Sequence, residues 1–332
     1  MTQPPAHAVG IGASAGGVDA LSRLVETLPE QFDAAVLVVL HIPASSRSLL
    51  AQILERNTRL PVTTAEDGAA LVPGTIFVAP ADRHLVGSNN RVVLERGPKE
   101  NGARPAVDPM LRSIAQAYGP RAIAVVLSGA LGDGSAGARA VAAAGGAVLV
   151  QDPDEARVPS MPESTLAAVG GRARRLPVTE LGAAIVQLVE AAPKEDGMML
   201  DPSTPLEESR KRPHGPPSGL TCPECHGSLW EVDEGTRYRC RVGHAYSAEA
   251  LVAAQGDAVE AALWTALEVL EERAELLRKL AGRHGDARPR SRAQMTSTAE
   301  DAMQRAELIR HALGATGVAT DAFDVSAEGA AG

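Results

Sequence analysis

Three polar residues stand where apolar runs stop, and together they could perform nucleophilic chemistry. Ser14 lies in Val9-Gly10-Ile11-Gly12-Ala13-Ser14-Ala15-Gly16-Gly17-Val18, after a strand-like run and before a helical one. His41 closes a second run in Val39-Leu40-His41-Ile42-Pro43, and Asp133 follows a third in Ser128-Gly129-Ala130-Leu131-Gly132-Asp133-Gly134. A serine hydroxyl is a weak nucleophile that needs an adjacent base, and the base needs an orienting carboxylate. Serine, histidine and aspartate at three strand ends supply that set. The backbone N–H groups of Ala15, Gly16 and Gly17, at the start of the following helix, are the candidate donors to an oxyanion. Each residue alone also has a structural reading: Ser14 as a helix N-cap, His41 as a satisfied strand-end histidine, Asp133 as a turn residue.

The glycines around Ser14 have a second reading, as the turn that brings a pyrophosphate to a helix N-terminus. Gly10, Gly12 and Gly16 are spaced GxGxxxG, one residue too long for that motif. The end of the second strand, where a ribose-binding carboxylate belongs, carries His41 instead. A nicotinamide oxidoreductase is disfavoured on both counts.

A separate cluster lies downstream. Cys222-Pro-Glu-Cys225 and Cys240-Arg-Val-Gly-His244 use every cysteine in the chain. The spacing is close to a zinc ribbon or finger, and thiolates with an imidazole suit tetrahedral Zn²⁺. Cys222, Cys225, Cys240 and His244 are therefore the expected ligands of a structural zinc, with His226 as a rival to His244. Four protein ligands leave no open position, so no cofactor for catalysis is expected. The alternative is a reduced hairpin, Leu229–Val232 with Arg237–Arg241, whose cysteines only pack.

The elements that must position these residues alternate. Strands are expected at Ala8–Gly12, Ala34–Ile42, Thr75–Ala79, Arg91–Glu95, Arg121–Ser128 and Ala147–Gln151, and helices at Val18–Leu28, Ser46–Arg56, Pro109–Tyr118, Ser135–Ala144, Pro162–Val169 and Thr179–Glu190. Strand–helix alternation with continuously apolar strands predicts a doubly wound α/β domain with a mostly parallel sheet. Thr75–Ala79 and Arg91–Glu95, joined across Gly87-Ser88-Asn89-Asn90, are expected to form an inserted antiparallel hairpin. Asp108-Pro109 reads as an N-cap before an N1 proline. Arg104 and Asp108 could face a substrate, but a turn and a helix cap are the favoured roles.

Residues 192–219 contain six prolines and mixed charge without apolar periodicity, the composition of a linker. The expected organisation is a catalytic domain over 1–191, a linker over 192–219, a Cys/His module over 220–247, a helical hairpin over 248–314 and a tail without fixed structure over 315–332. Ala248–Gly282 and Ser291–Leu313 are the hairpin's helices, broken at Gly282–Pro289. Trp264 and Leu267 on the first suit either self-packing or docking of a partner or a second copy.

Composition narrows the class. The chain has 332 residues with 32 Lys+Arg against 41 Asp+Glu, a net charge of −9, and only 2% aromatic residues. An acidic balance argues against nucleic acid and anionic lipid, and scarce aromatics remove the stacking platforms of single-strand binders. The N-terminus lacks the pattern of a secretory signal, and no apolar run approaches the roughly 20 residues of a membrane span. Cysteines confined to one cluster suit a reducing compartment. A cytoplasmic protein without membrane insertion is expected.

Taken together, Val9-Gly-Ile-Gly-Ala-Ser-Ala-Gly-Gly, Leu40-His-Ile-Pro, Arg104-Pro105 with Val107-Asp108, Ser128-Gly-Ala-Leu-Gly-Asp-Gly and Ser160-Met161-Pro162 resemble the catalytic domain of the chemotaxis protein-glutamate methylesterases (CheB). The resemblance runs from about Ala8 to Glu190. It implies a triad of Ser14, His41 and Asp133 and hydrolysis of γ-glutamyl methyl esters on methylated chemoreceptors, with deamidation of receptor glutamines as a second activity. Well-studied members carry a receiver domain with a phosphorylatable aspartate ahead of this one. Here the chain starts at the catalytic domain, so that switch is expected to be absent or supplied in trans. Ala15 and Ala130-Leu131 replace the family's frequent Thr and Met-Gly. A Cys/His segment followed by helices is similar to extensions seen behind receiver-less methylesterase domains. The competing reading is a non-catalytic adaptor that uses the fold and the C-terminal helices to bind a partner; retention of Ser14, His41 and Asp133 favours the esterase.

Overall fold

The structure is a computed structural model that describes residues 4–46, 48–191, 213, 215–233, 235–284 and 288–316. Met1–Leu251 and Val252–Gly332 form two compact units.

The first unit is built on a seven-stranded parallel sheet. Its strands are β1 (His7–Ala13), β2 (Ala34–Leu40), β3 (Val62–Thr64), β4 (Ile76–Val78), β7 (Ala122–Val126), β8 (Ala147–Gln151) and β9 (Ala173–Leu176), in the order β3-β4-β2-β1-β7-β8-β9. The chain winds outward from β1 through β2 and then returns to the other side of β1 at β7, so the switch point lies between β1 and β7. Both faces are covered. Helices α1 (Gly17–Glu26), α2 (Leu50–Glu55) and α6 (Val178–Ala191) pack with Val9, Ile11, Val36 and Val38 on one face. Helices α3 (Val107–Tyr118), α4 (Ser135–Ala143) and α5 (Ser160–Val169) pack with Leu37, Val39, Ala124 and Val126 on the other. Burial on both sides explains why β2 and β7 read as unbroken apolar runs.

The expected fold class is observed, with corrections inside it. Thr75–Ala79 does not pair with Arg91–Glu95; β4, within it, runs parallel to β2 in the main sheet. The antiparallel partner of β6 (Arg91–Glu95) is β5 (His84–Ser88). Asn89 and Asn90, both left-handed at φ 50° and 56°, make the tight turn, whose twist matches a two-residue hairpin. Asp108 is not the cap of its own helix: α3 starts at Val107 with Ala106 at the N-cap, and Asp108 lies inside the first turn. The second helix is shorter than Ser46–Arg56.

Gly10 and Gly12 serve close packing of α3 on β1. A Cβ on Gly10 would stand 2.7 Å from Leu111 Cδ2, and one on Gly12 would stand 2.2 Å from Val107 Cγ1.

A second sheet in the same unit contains β10 (Pro217–Thr221), β11 (Ser228–Val232), β12 (Arg237–Cys240) and β13 (Ala245–Ser247), in that order and antiparallel. Pro217–Gly219, expected as the end of a linker, is thus strand; residues 192–212 of that stretch lie outside the described residues. Helices α7 (Ala248–His284) and α8 (Pro289–Thr316) follow. Within Val252–Gly332 they pack through Leu267, Ala306 and Leu313, and through Ala274, Ala299 and Ala302. Arg310 pairs with Glu271 and Glu307. Leu267 is buried in that contact while Trp264 is exposed. Residues 317–332 of the expected tail lie outside the described residues. None of the described helices is long and apolar enough to cross a membrane.

The α3–β1 contact has a direct test. Gly12→Ala places a methyl against Val107, and overpacking of this kind costs about 1–3 kcal/mol. The expected outcome is a lower urea midpoint with an unchanged slope.

Candidate active site

Ser14 and His41 each follow a strand directly. The β1–β2 register pairs Ala13 with Leu40, so the next residues, Ser14 and His41, stand opposite each other on neighbouring strands. The His41 N–H donates to Ala13 O at 3.2 Å, and the Ser14 N–H donates to Ser128 O at 2.9 Å. These bonds tie the β1 end to β2 on one side and to the segment after β7 on the other. Neighbouring strands lie about 4.8 Å apart, which sets the spacing of residues opposite one another.

Gly16 turns the chain from β1 into α1 with φ 74°, a left-handed conformation that L side chains rarely adopt. The Gly17 N–H donates to Ser14 O at 2.8 Å. Among the described residues, no hydrogen bond closes on the N–H groups of Ala15 and Gly16. The Ser128 hydroxyl donates to Ala15 O at 2.7 Å and accepts from the Val158 N–H at 3.0 Å, fastening the turn. Ser128, which the sequence marks only as part of a motif, is thereby a brace for the loop that presents Ser14.

Asp133 is 1% exposed. Its Oδ2 lies 2.6 Å from His41 Nε2 and accepts the Val107 N–H at 2.6 Å. Its Oδ1 accepts from the Asp108 N–H at 3.1 Å, the Gly134 N–H at 3.0 Å and Asn101 Nδ2 at 3.0 Å. Burial alone would raise the Asp133 carboxyl, but the His41 hydrogen bond and charge, with the Val107 and Asp108 N–H groups, outweigh it and hold the carboxyl low. The carboxylate is ionised, and His41 is oriented by it. The Ser14 hydroxyl makes no hydrogen bond to the His41 ring among the described residues; strand register sets the two residues side by side at one rim.

Asp108 shares this pocket. Its Oδ1 accepts from the Gly134 N–H at 3.1 Å and the Gly137 N–H at 2.7 Å. It therefore caps α4 from outside instead of capping α3. Burial first, and then the negative charge of Asp133, raise its pKa, against the pull of Arg112. The Arg104 guanidinium is 2.5 Å from Asp82 and donates to Gly97 O at 2.6 Å, tying its own loop to the one that carries Asp82. Asn101, which donates to both Asp133 and Asp108, has no signal in the sequence, since nothing about its position marks it as a partner of residue 133.

The second cluster also converges. One ligand atom each from Cys222, Cys225, Cys240 and His244 lies within 4.8 Å of the others. The Cys225–Cys240 sulfurs are 3.6 Å apart, and His244 Nδ1 is 3.7 Å from Cys222 Sγ and 3.5 Å from Cys240 Sγ. These are the edge lengths expected around a tetrahedral ion bound at about 2.1–2.3 Å. The cysteines are free thiols. His226 lies outside the cluster, its backbone N–H bonded to Cys222 O at 2.9 Å.

A doubly wound α/β domain with a serine, a histidine and a buried carboxylate gathered at its switch point is the class that fold and geometry define. The chain belongs to the CheB methylesterase family, whose model matches residues 9–185. It is 44% identical over 155 residues to protein-glutamate methylesterase/protein-glutamine glutaminase 4 of Myxococcus xanthus (strain DK1622), covering 46% of this chain and 44% of that one. It is 35% identical over 188 residues to protein-glutamate methylesterase FrzG of Myxococcus xanthus, covering 56% of each. The crystal structure of the Thermotoga maritima CheB methylesterase catalytic domain superposes with a TM-score of 0.52 at 35% identity, covering 56% of this chain and 98% of that one. The chain spans about half the length of the curated relatives it matches.

The carboxylate pair sets a pH dependence. The raised Asp108 carboxyl makes the folded state hold a proton that the unfolded chain releases, so its contribution to stability falls as pH climbs from the ordinary carboxylate range toward neutrality. Asp108→Asn removes that loss. Urea unfolding across this range should show a stability difference, variant minus wild type, that rises with pH.

Proposed function

We propose that the chain is a serine hydrolase that removes methyl esters from glutamate side chains of chemoreceptor-type proteins, with deamidation of glutamine as a second activity at the same site. The observation that carries this reading is the 2.6 Å contact of His41 Nε2 with the buried Asp133 carboxylate, beside Ser14 in strand register. The names of the relatives above support the ester and the receptor as substrate class. This reading puts the enzyme in the cytoplasm.

With Nε2–H held by Asp133, His41 Nδ1 is the nitrogen left to accept the Ser14 proton. Ser14 Oγ then attacks the ester carbonyl and forms a tetrahedral oxyanion. The Ala15 and Gly16 N–H groups, at the positive end of α1, are the donors that stabilise it. Gly17, one of the expected donors, has its N–H directed at Ser14 O and is left out of this role. Collapse expels methanol, which takes the proton from His41, and leaves a glutamyl ester on Ser14. Water, deprotonated by His41, hydrolyses that ester to the glutamate carboxylate. Asp133 fixes the imidazole tautomer and stabilises the cation that forms twice in the cycle.

The Cys/His cluster fits a structural Zn²⁺ held by Cys222, Cys225, Cys240 and His244. Such an ion would tie the turn after β10 to the ends of β12 and β13, and its closed shell leaves it no part in ester hydrolysis.

Methanol release from methylated receptor cytoplasmic domains tests the assignment. Ser14→Ala should abolish turnover and labelling by a serine-reactive phosphonate while leaving the fold intact. Asp133→Asn should lower kcat by roughly 10⁴-fold, the effect of the wrong imidazole tautomer. Persistence of methanol release in Ser14→Ala defeats the nucleophile assignment. Metal analysis should find about one Zn²⁺ per chain, lost in Cys222→Ser and Cys240→Ser; a metal-free protein that keeps its thermal stability defeats the zinc site.

A further inference from the structure

The loop Lys99–Ala103 joins the polar pocket around Asp133 to the Cys/His module. The Asn101 N–H donates to Ala245 O at 2.8 Å, and the Ala245 N–H donates to Lys99 O at 3.4 Å, so β13 continues its pairing onto the loop. Glu100 is buried against Arg112 of α3 at 2.6 Å and also feels the charge of Arg237 in β12. Glu224, beside the cysteines, reaches Lys99 at 3.6 Å and His244 Nε2 at 3.4 Å.

At the centre is the Asn101 amide. Its Nδ2 donates to Asp133 Oδ1 at 3.0 Å and to Asp108 Oδ2 at 3.2 Å, while its Oδ1 accepts the Ser247 N–H at 2.8 Å. This amide has one workable orientation. Flipped, its oxygen would face the ionised Asp133 carboxylate and its NH₂ would face a backbone N–H donor. The Ser247 N–H therefore selects the rotamer that aims the donors at Asp133. The four other donors to Asp133, His41 Nε2 and the N–H groups of Val107, Asp108 and Gly134, belong to the α/β domain itself. Only the Asn101 donor depends on a strand of the module, 146 residues away.

We propose that the Cys/His module completes the esterase site: β13 holds Asn101, Asn101 positions the Asp133 carboxylate, and loading of the Cys222–Cys225–Cys240–His244 cluster thereby governs the reactivity of Ser14. This rests on the triad reading above. Asn101 is a positioning residue; it acts through Asp133. His244 adjoins Ala245, so an ion that fixes His244 also fixes the backbone that grips Lys99 and Asn101. Without it the 245–247 strand loses an anchor, and the amide loses the contact that sets its orientation.

The test uses the full chain and follows both methanol release and the rate at which a serine-reactive phosphonate labels Ser14. Asn101→Ala should lower kcat roughly tenfold, the loss of one hydrogen bond to a charged group, with KM and Zn²⁺ content unchanged. The acid limb of its kcat/KM profile should move to higher pH, because a carboxylate relieved of a donor holds the His41–Asp133 proton more firmly. The neighbouring Asp108 carboxyl, and the charges of Arg112, Glu100 and Arg237 that act on it, are untouched in this variant. Asn101→Asp keeps the acceptor for Ser247 but replaces the donor with a like charge. It should lose at least as much kcat, whereas a purely docking role would leave it near wild type. Chelation of the wild-type protein should slow phosphonate labelling, and added Zn²⁺ should restore it. In Asn101→Ala, chelation should change labelling little, because the link is already cut. A wild-type kcat and pH profile in Asn101→Ala, labelling of the wild type that is indifferent to chelation, or equal slowing by chelation in both proteins overturns the proposal. Ser14→Ala, run alongside, separates the two readings: if it still releases methanol the triad falls, and if it does not, a failure at Asn101 concerns the module alone.

Discussion

An ionised carboxylate can be buried at 1% exposure only if nearly every lone pair finds a donor, and meeting that requirement at Asp133 organises the α/β part of the molecule. The donors are drawn from separate places: the end of β2 through His41, the first turn of α3 through Val107 and Asp108, the start of α4 through Gly134, and the Lys99–Ala103 loop through Asn101. Two helix N-termini point at one charge, so their dipoles act in the same sense as the hydrogen bonds. Displacing any of these elements would strand a charge where water cannot reach it. The position of His41 is thus fixed twice, by its strand and by the carboxylate it faces.

Asp108 shows the other side of the same constraint. Two carboxylates that share a buried pocket cannot both ionise freely, and their surroundings push their proton affinities apart. Asp133 collects the imidazole and the larger share of donors and stays charged. Asp108 spends one oxygen on the α4 N-terminus, through Gly134 and Gly137, and carries the cost of its neighbour's charge. The close approach of α3 to β1 at Gly10 and Gly12 is what brings Asp108 and the Val107 N–H into range. Glycines that invite a nucleotide reading in the sequence are, in the fold, the space that lets a helix deliver donors to a carboxylate.

That Ser14 and His41 reach one rim, and that the segment after β7 carries Asp133 to His41, is legible because parallel strands bring their carboxyl ends to the same edge. The convergence of Cys222, Cys225, Cys240 and His244 is legible from spacing, because every cysteine belongs to the set. Other features were hidden for identifiable reasons. The edge strands β3 and β9 are polar: Thr63, Thr64, Arg174 and Arg175 are exposed, so no apolar run marks them. The first strand of the hairpin is hard to read because β4 and β5 lie close together in sequence and only the left-handed pair Asn89-Asn90 selects between them. Asp108 looked like a cap for its own helix, since capping sequence rules describe local partners, while its acceptors are used by α4. Asn101 lay beyond reach altogether, because both of its side-chain roles depend on residues that only the fold brings near.

The same logic bears on the small module. Among the described residues of 217–247 the fully buried apolar side chains are few: Leu229, Ala245 and Tyr246 beside the two sulfurs of Cys222 and Cys240. A sheet this small cannot exclude enough apolar surface to offset the entropy of ordering its strands, and small domains of this kind depend on cross-links or metals. Convergence of three cysteine sulfurs and one imidazole nitrogen brings together the donor atoms that one such fastening needs. The pairing of β13 with the Lys99–Ala103 loop supplies another, because it gives an otherwise exposed edge strand a partner. Stability of the module and order in the loop are thereby reciprocal: whatever strengthens the strand that grips Asn101 also strengthens the grip of Asn101 on Asp133, and the free energy shared between them is the same in either direction.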